Sequence, residues 1–106
     1  MLFRSSPADG HLVATVAEAT NADDDLAISA ARRAFDSGEF PSWGFAKRSE
    51  LVAKIADLME RDLKILAKLE SDDTGKRLIE AEYDIADVIA CFRHFAKLGK
   101  IGRAHV

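Results

Sequence analysis

The sequence predicts a mostly α-helical fold with a short β hairpin at its N-terminus, and three features carry that expectation. Apolar residues recur at three- and four-residue spacing through most of residues 20–98, the signature of amphipathic helices. Leu12, Ala14 and Val16 alternate with Val13 and Thr15 behind the turn-forming Pro7-Ala8-Asp9-Gly10. The run from Leu69 to Lys76, Leu-Glu-Ser-Asp-Asp-Thr-Gly-Lys, closes one long amphipathic stretch just before another begins. With 106 residues, 48% hydrophobic and 31% charged, the chain has material for one soluble domain at most.

Residues Leu2 to Val16 read as the hairpin, with Pro7 presetting φ and Gly10 accepting a positive φ in the turn. A two-stranded unit is marginal alone and requires a sheet or helix layer to lie on. Thr20 to Gly38 reads as the first helix: Thr20 or Asn21 caps it, Asp23, Asp24 and Asp25 load the positive end of its dipole, and Gly38 stops it. Its face of Leu26, Ala27, Ala30, Ala31, Ala34 and Phe35 is narrow and alanine-rich, suited to close packing against another layer. Glu39 to Phe45 is a connector whose Phe40, Trp43 and Phe45 predict a hydrophobic staple or a lid over the next helix. Arg48, near that helix's first turn, is expected to pair with a nearby carboxylate on the surface.

From Ala46 the apolar stripe resumes with Leu51, Val52, Ile55, Leu58 and Met59, then Leu63, Leu66, Ala67 and Leu69. The polar triplet Glu60-Arg61-Asp62 interrupts it and predicts a break between two consecutive helices. At the corner that follows, Gly75 takes the left-handed conformation and Lys76 faces the terminal carbonyls. Leu78 to Leu98 forms the last helix, with Ile85, Val88, Ile89, Phe92 and Phe95 or Ala96 on one stripe.

Several kinds of chemistry are excluded. The net charge is −3 and basic residues are interleaved with acids, so no basic patch favours nucleic acid or an anionic membrane. No apolar run approaches the roughly 18 residues of a membrane span, the N-terminus has no apolar signal core, and the single Cys makes no internal disulfide. Together these predict a cytosolic setting. A phosphate-binding loop at Gly75-Lys76 fails on spacing, since its first Gly would fall on Glu70 and its Ser or Thr on Arg77. Successive side chains on a helix diverge, so Asp23, Asp24 and Asp25 do not converge on a metal. Cys91 has His94 three residues on but no oxyanion element, and reads as a packing residue. No catalytic and no cofactor-binding residue is assigned.

The corner segment resembles the "LE(S/T)xDTGK" segment of the NAD(P)-dependent aldehyde dehydrogenase superfamily, and it has the expected neighbours. Upstream, Asp25-Leu26-Ala27-Ile28 and Ala30-Ala31-Arg32-Arg33-Ala34-Phe35 are similar to that family's "D-x-D-x-A-V-x-A-A-R-x-A-F" helix, followed by Phe40-Pro41 where the family usually has Trp-Pro, and by Arg48. Downstream, Phe92-Arg93-His94-Phe95-Ala96 resembles the family's "F-R-Y-Y-A". The ordered set runs from about Ser6 to about Gly99.

This resemblance implies that residues 1–100 are the N-terminal segment of the Rossmann-like α/β cofactor-binding domain of an aldehyde dehydrogenase. The implied parent oxidises a small aldehyde to a carboxylic acid with NAD or NADP, through a Cys thiolate and a Glu-activated water, and is a homodimer or homotetramer. Those groups are not identifiable in this segment, so the segment alone is expected to be inactive and marginal in stability. In several members the Asp of "DTGK" helps to hold a structural monovalent cation, potassium or sodium, with backbone carbonyls just before an "NP" or "SP" turn. Carried over, that puts Asp73 with the carbonyls of Arg4 and Ser5. Ser6-Pro7 replaces the commoner Asn-Pro, and a plain helix-end carboxylate is the alternative role for Asp73.

Residues 101–106, Ile-Gly-Arg-Ala-His-Val, depart from the family pattern. They can be encoded by ATC GGA AGA GCA CAC GTC followed by TGA, an in-frame translation of a widely used sequencing-library adapter. The expectation is a non-native tail on a truncated frame. A rival from another class is a complete small helical module whose exposed stripes bind a partner protein.

Overall fold

The computed structural model describes residues 1–101; the expected non-native tail lies, from residue 102 on, outside the described residues. Strands β1 (Leu2–Ser5) and β2 (Leu12–Val16) form an antiparallel hairpin, followed by α1 (Asn21–Ser37), a 3-10 turn (Phe40–Ser42), α2 (Phe45–Arg61), α3 (Leu63–Thr74) and α4 (Leu78–Ile101). This is the mostly helical fold with an N-terminal hairpin that the sequence predicts.

In the hairpin Leu2 pairs with Val16, Phe3 with Thr15, Arg4 with Ala14 and Ser5 with Leu12, so Val13 is the extra residue of a bulge. Val13 alone in β2 is half-buried, while Leu12 and Val16 are exposed. The apolar face expected for this strand therefore looks outward.

Helix α1 begins with a reciprocal capping box: the Asp23 N–H donates to Thr20 Oγ1 at 3.3 Å, and the Thr20 N–H donates to Asp23 Oδ2 at 2.9 Å. It ends where the Gly38 N–H donates to the Ala34 carbonyl at 3.1 Å. None of its residues is buried, and Leu26, Ile28 and Phe35 are each about two-thirds exposed, at 66%, 68% and 66%.

Helices α2, α3 and α4 make the packed part. α2 stops at Arg61 and α3 starts at Leu63, with Asp62 between them, where the polar triplet predicts a break. The core is built from small residues: Ala56, Ala67 and Ala81 are 0% exposed, joined by Ile89 and Ala96. On the last stripe the choice between Phe95 and Ala96 falls to Ala96, since Phe95 is 65% exposed. Small side chains let the backbones approach closely. A Cβ built on Gly99 would stand 2.1 Å from Ser49 Oγ, so α4 comes close to α2 there and a larger residue would have to displace that hydroxyl.

Among the described residues no large side chain is fully buried. A Leu, Ile or Phe at full burial contributes about 1.5–3 kcal/mol, and that contribution is missing here. The accessible surface is 8365 Å², against about 5,800 Å² expected for a folded monomer of this mass. The radius of gyration is 18.3 Å, against about 13 Å for a compact domain of similar length. Apolar helix faces are thus left open.

Candidate functional site

The corner between α3 and α4 carries the features that chemistry could use. Gly75 caps α3 in the left-handed conformation, with φ 76°, and its N–H donates to the Ser71 carbonyl at 2.9 Å. A Cβ there would also meet Pro7 Cγ at 2.9 Å, because the hairpin turn rests on the corner. Glycine is thus required twice, by the backbone conformation and by the neighbour.

Lys76 does not face the terminal carbonyls as expected. Its Nζ donates to the carboxylates of Glu70, at 3.1 Å, and Asp84, bridging the end of α3 to the first turns of α4. Those two carboxylates, Asp84 foremost, hold the Lys76 ammonium above its usual range. Two acids within reach compete better for the ammonium than neutral carbonyl oxygens do. Ser71 Oγ takes a carbonyl instead, donating to that of Lys76 at 2.6 Å.

Asp73 lies beside β1, and the contact is through a side chain. Arg4 Nε donates to Asp73 Oδ1 at 2.8 Å, across 69 residues of sequence, and Nη2 stands 2.7 Å from the same oxygen. Ser5, the other expected site residue, is exposed at the end of β1. The residue buried beneath the turn is Ser6, 3% exposed: its carbonyl accepts from the Gly10 N–H at 2.8 Å, and its Oγ accepts from the Ala8 N–H at 3.3 Å. Ser6 thus does in the turn what a short polar side chain before Pro can do. An open hollow of about 390 Å³ separates hairpin from helices, lined by Val13, Ala14, Leu69 and Ile85 and by the Arg4–Asp73 pair.

Two more groups depart from expectation. Among the described residues Arg48 pairs with no carboxylate: its Nη2 donates to the Pro41 carbonyl at 2.7 Å and its guanidinium lies over Phe40, so it fastens the connector to α2. Phe40 and Trp43 pack at 5.3 Å between ring centroids, and Lys47 covers the Trp43 ring, as a lid over the start of α2 would. Cys91 is exposed on α4 and packs no core. The ion cluster that sequence periodicity did not reveal is Arg93, which ties α4 to Glu60 at 2.6 Å and Asp57 at 3.3 Å on α2. The guanidinium holds the Glu60 carboxyl below its ordinary range. Among the described residues there is no group of three or more His, Cys, Asp or Glu side chains that could hold a metal, and no helix long and apolar enough to cross a membrane.

The capped α1, the broken α2–α3 run, the glycine corner and the hairpin seated on it together define the N-terminal part of a larger α/β enzyme fold. The chain belongs to the aldehyde dehydrogenase family, whose sequence model matches residues 3–104. It is 46% identical over 93 residues to a betaine aldehyde dehydrogenase of Bacillus subtilis, covering 88% of this chain and 19% of that protein. It is 43% identical over 93 residues to the human retinal dehydrogenase 2, covering 86% of this chain and 18% of that protein. Among solved structures it superposes on an NAD-dependent aldehyde dehydrogenase from Sinorhizobium meliloti with a TM-score of 0.88 at 36% identity, over 92% of this chain and 20% of the other. A betaine aldehyde dehydrogenase from Staphylococcus aureus in complex with NAD+ gives a TM-score of 0.87 at 39% identity, over 92% and 19%. The chain therefore spans about a fifth of the length of the relatives it matches.

Proposed function

We propose that this chain is the N-terminal packing segment of an aldehyde dehydrogenase that oxidises an aldehyde to a carboxylic acid with NAD+ or NADP+, and that the 106 residues alone do not catalyse the reaction. The observation that carries this reading is the excess of exposed surface, roughly 2,500 Å² above that of a folded monomer of the same mass. That is the size of a large obligate interface. The rest of such an enzyme would cover it, above all the bare faces of α1 and the outer face of the hairpin. Neighbours described as NAD complexes favour NAD over NADP.

No residue here is assigned to the reaction. The role derived for the segment is mechanical: α2–α4 form a small-residue block, and the corner at Gly75 holds the N-terminal strands against it. That role also explains why substrate identity is not encoded here. A betaine aldehyde relative and a retinal relative are matched almost equally, at 46% and 43% identity. The rival reading, a self-contained partner-binding module, requires the family match to be coincidence.

The test is to read the source DNA through the codons for residues 96–106, express any continuous frame, and assay both it and the present chain for formation of reduced nicotinamide cofactor with a panel of aldehydes. The continued protein is expected to turn over and the present chain is not. A genomic stop after Val106, or turnover by the short chain, would sink the proposal.

A further inference from the structure

The position that the family reading gives to a potassium or sodium ion does not suit one here, and the reason is Arg4. Of the expected donors, Asp73 is the one carboxylate, and its Oδ1 already accepts from Nε of Arg4 at 2.8 Å and lies 2.7 Å from Nη2 of the same guanidinium. A guanidinium does not lose its charge at any physiological pH. An alkali ion on Asp73 and the carbonyls of Arg4 and Ser5 would share a few ångströms with that permanent like charge.

The helix end supplies an independent reason for a positive charge at this place. α3 terminates at Thr74 with Asp72 and Asp73 in its last turn and no basic residue of its own there. The negative end of the helix dipole and these two acids both favour a cation. Lys68 serves Asp72 at 2.5 Å, and Lys76 serves Glu70 and Asp84, which leaves Asp73 to Arg4. The bulge between Arg4 and Ser5 lies where β1 must deliver that side chain.

We propose that Arg4 is a built-in counter-cation: its guanidinium takes the place of an exchangeable alkali ion at Asp73, so that seating of the hairpin on α3 is independent of potassium and sodium. The proposal rests on the family reading of the corner, and adds that this chain has exchanged a diffusible ion for a tethered one. A tethered charge is present at any ion concentration and loses less freedom on pairing than a free ion bound from solution.

Hydrogen exchange of peptides covering residues 2–16 tests it, on the full chain in KCl, NaCl and choline chloride at equal ionic strength. Wild-type protection is expected to be the same in all three salts. Arg4→Val is expected to lose protection roughly two- to fivefold in choline chloride and to regain it in KCl or NaCl. Arg4→Lys keeps a charge at the position and is expected to stay indifferent to the cation, while Asp73→Asn loses protection in every salt without rescue. Wild-type protection that rises with potassium or sodium overturns the proposal without any substitution. So does an Arg4→Val chain, helical by far-ultraviolet dichroism, that responds alike to all three salts. The aldehyde assay above is unaffected by either result, so the two readings fail separately.

Discussion

Helix α1 and the α2–α4 block are written in the same alphabet and end differently. Both are alanine-rich amphipathic helices, and α1 has the better start, since Thr20 caps it while Gly44 gives α2 no side-chain cap. Yet Ala56, Ala67 and Ala81 are wholly enclosed, and no residue of α1 is buried. Capping and periodicity decide that a helix forms and which face is apolar. Whether that face is covered depends on what lies opposite, and for α1 nothing does among the described residues.

Enlarging a side chain on each helix should separate the two regions most widely. Ala81→Leu pushes a side chain into a site with no accessible surface and is expected to cost about 1–3 kcal/mol. Ala31→Leu on α1 is expected to stay within about 0.5 kcal/mol. Urea titration followed by helicity measures both, and equal losses would show that α1 is packed after all. Next in size is the cap: Thr20→Ala is expected to cost α1 about 1 kcal/mol, read as faster exchange in its first turn with α2–α4 unchanged.

The smallest effects are electrostatic. The Thr20 backbone N–H and hydroxyl hold the Asp23 carboxyl below its ordinary range. A carboxyl whose folded value is depressed contributes stability above its unfolded value, and that contribution is lost as pH falls through the folded value. The α1 start is therefore expected to loosen only in strongly acidic solution, and carboxyl NMR should show Asp23 titrating low in wild type and nearer the ordinary range in Thr20→Ala. On α2 the same titration reports Arg93: Arg93→Met is expected to return Glu60 upward, and an unchanged Glu60 would mean the tie to α4 is absent in solution.

Local signals were readable without the structure. Thr20, the Glu60-Arg61-Asp62 break and the left-handed Gly75 act through neighbours only a few residues away, so residue type and spacing suffice to place them. The family membership was readable too, from the ordered motifs. What periodicity could not show was the choice among partners across space. Lys76 takes two carboxylates over carbonyls, Arg48 takes the Pro41 carbonyl over a carboxylate, and Ala96, not Phe95, is the residue of the last stripe that the core encloses. At the corner, the sequence does not reveal that the Arg4 side chain meets Asp73, since nothing in a strand's own pattern says which distant carboxylate it will meet.

The turn resting on Gly75 also has a consequence in time. Hairpins form in microseconds, and this one is complete once Val16 has been made, yet the carboxylate that anchors it lies 69 residues beyond Arg4. Asp73 follows Val16 by 57 residues, and at synthesis rates of about 5–20 residues per second that is an interval of roughly 3–11 s. For those seconds the nascent chain carries an undocked two-stranded ribbon with Val13 uncovered and both edges free to pair with another chain. Chain separation, more than the strength of any one ion pair, sets how long that exposure lasts.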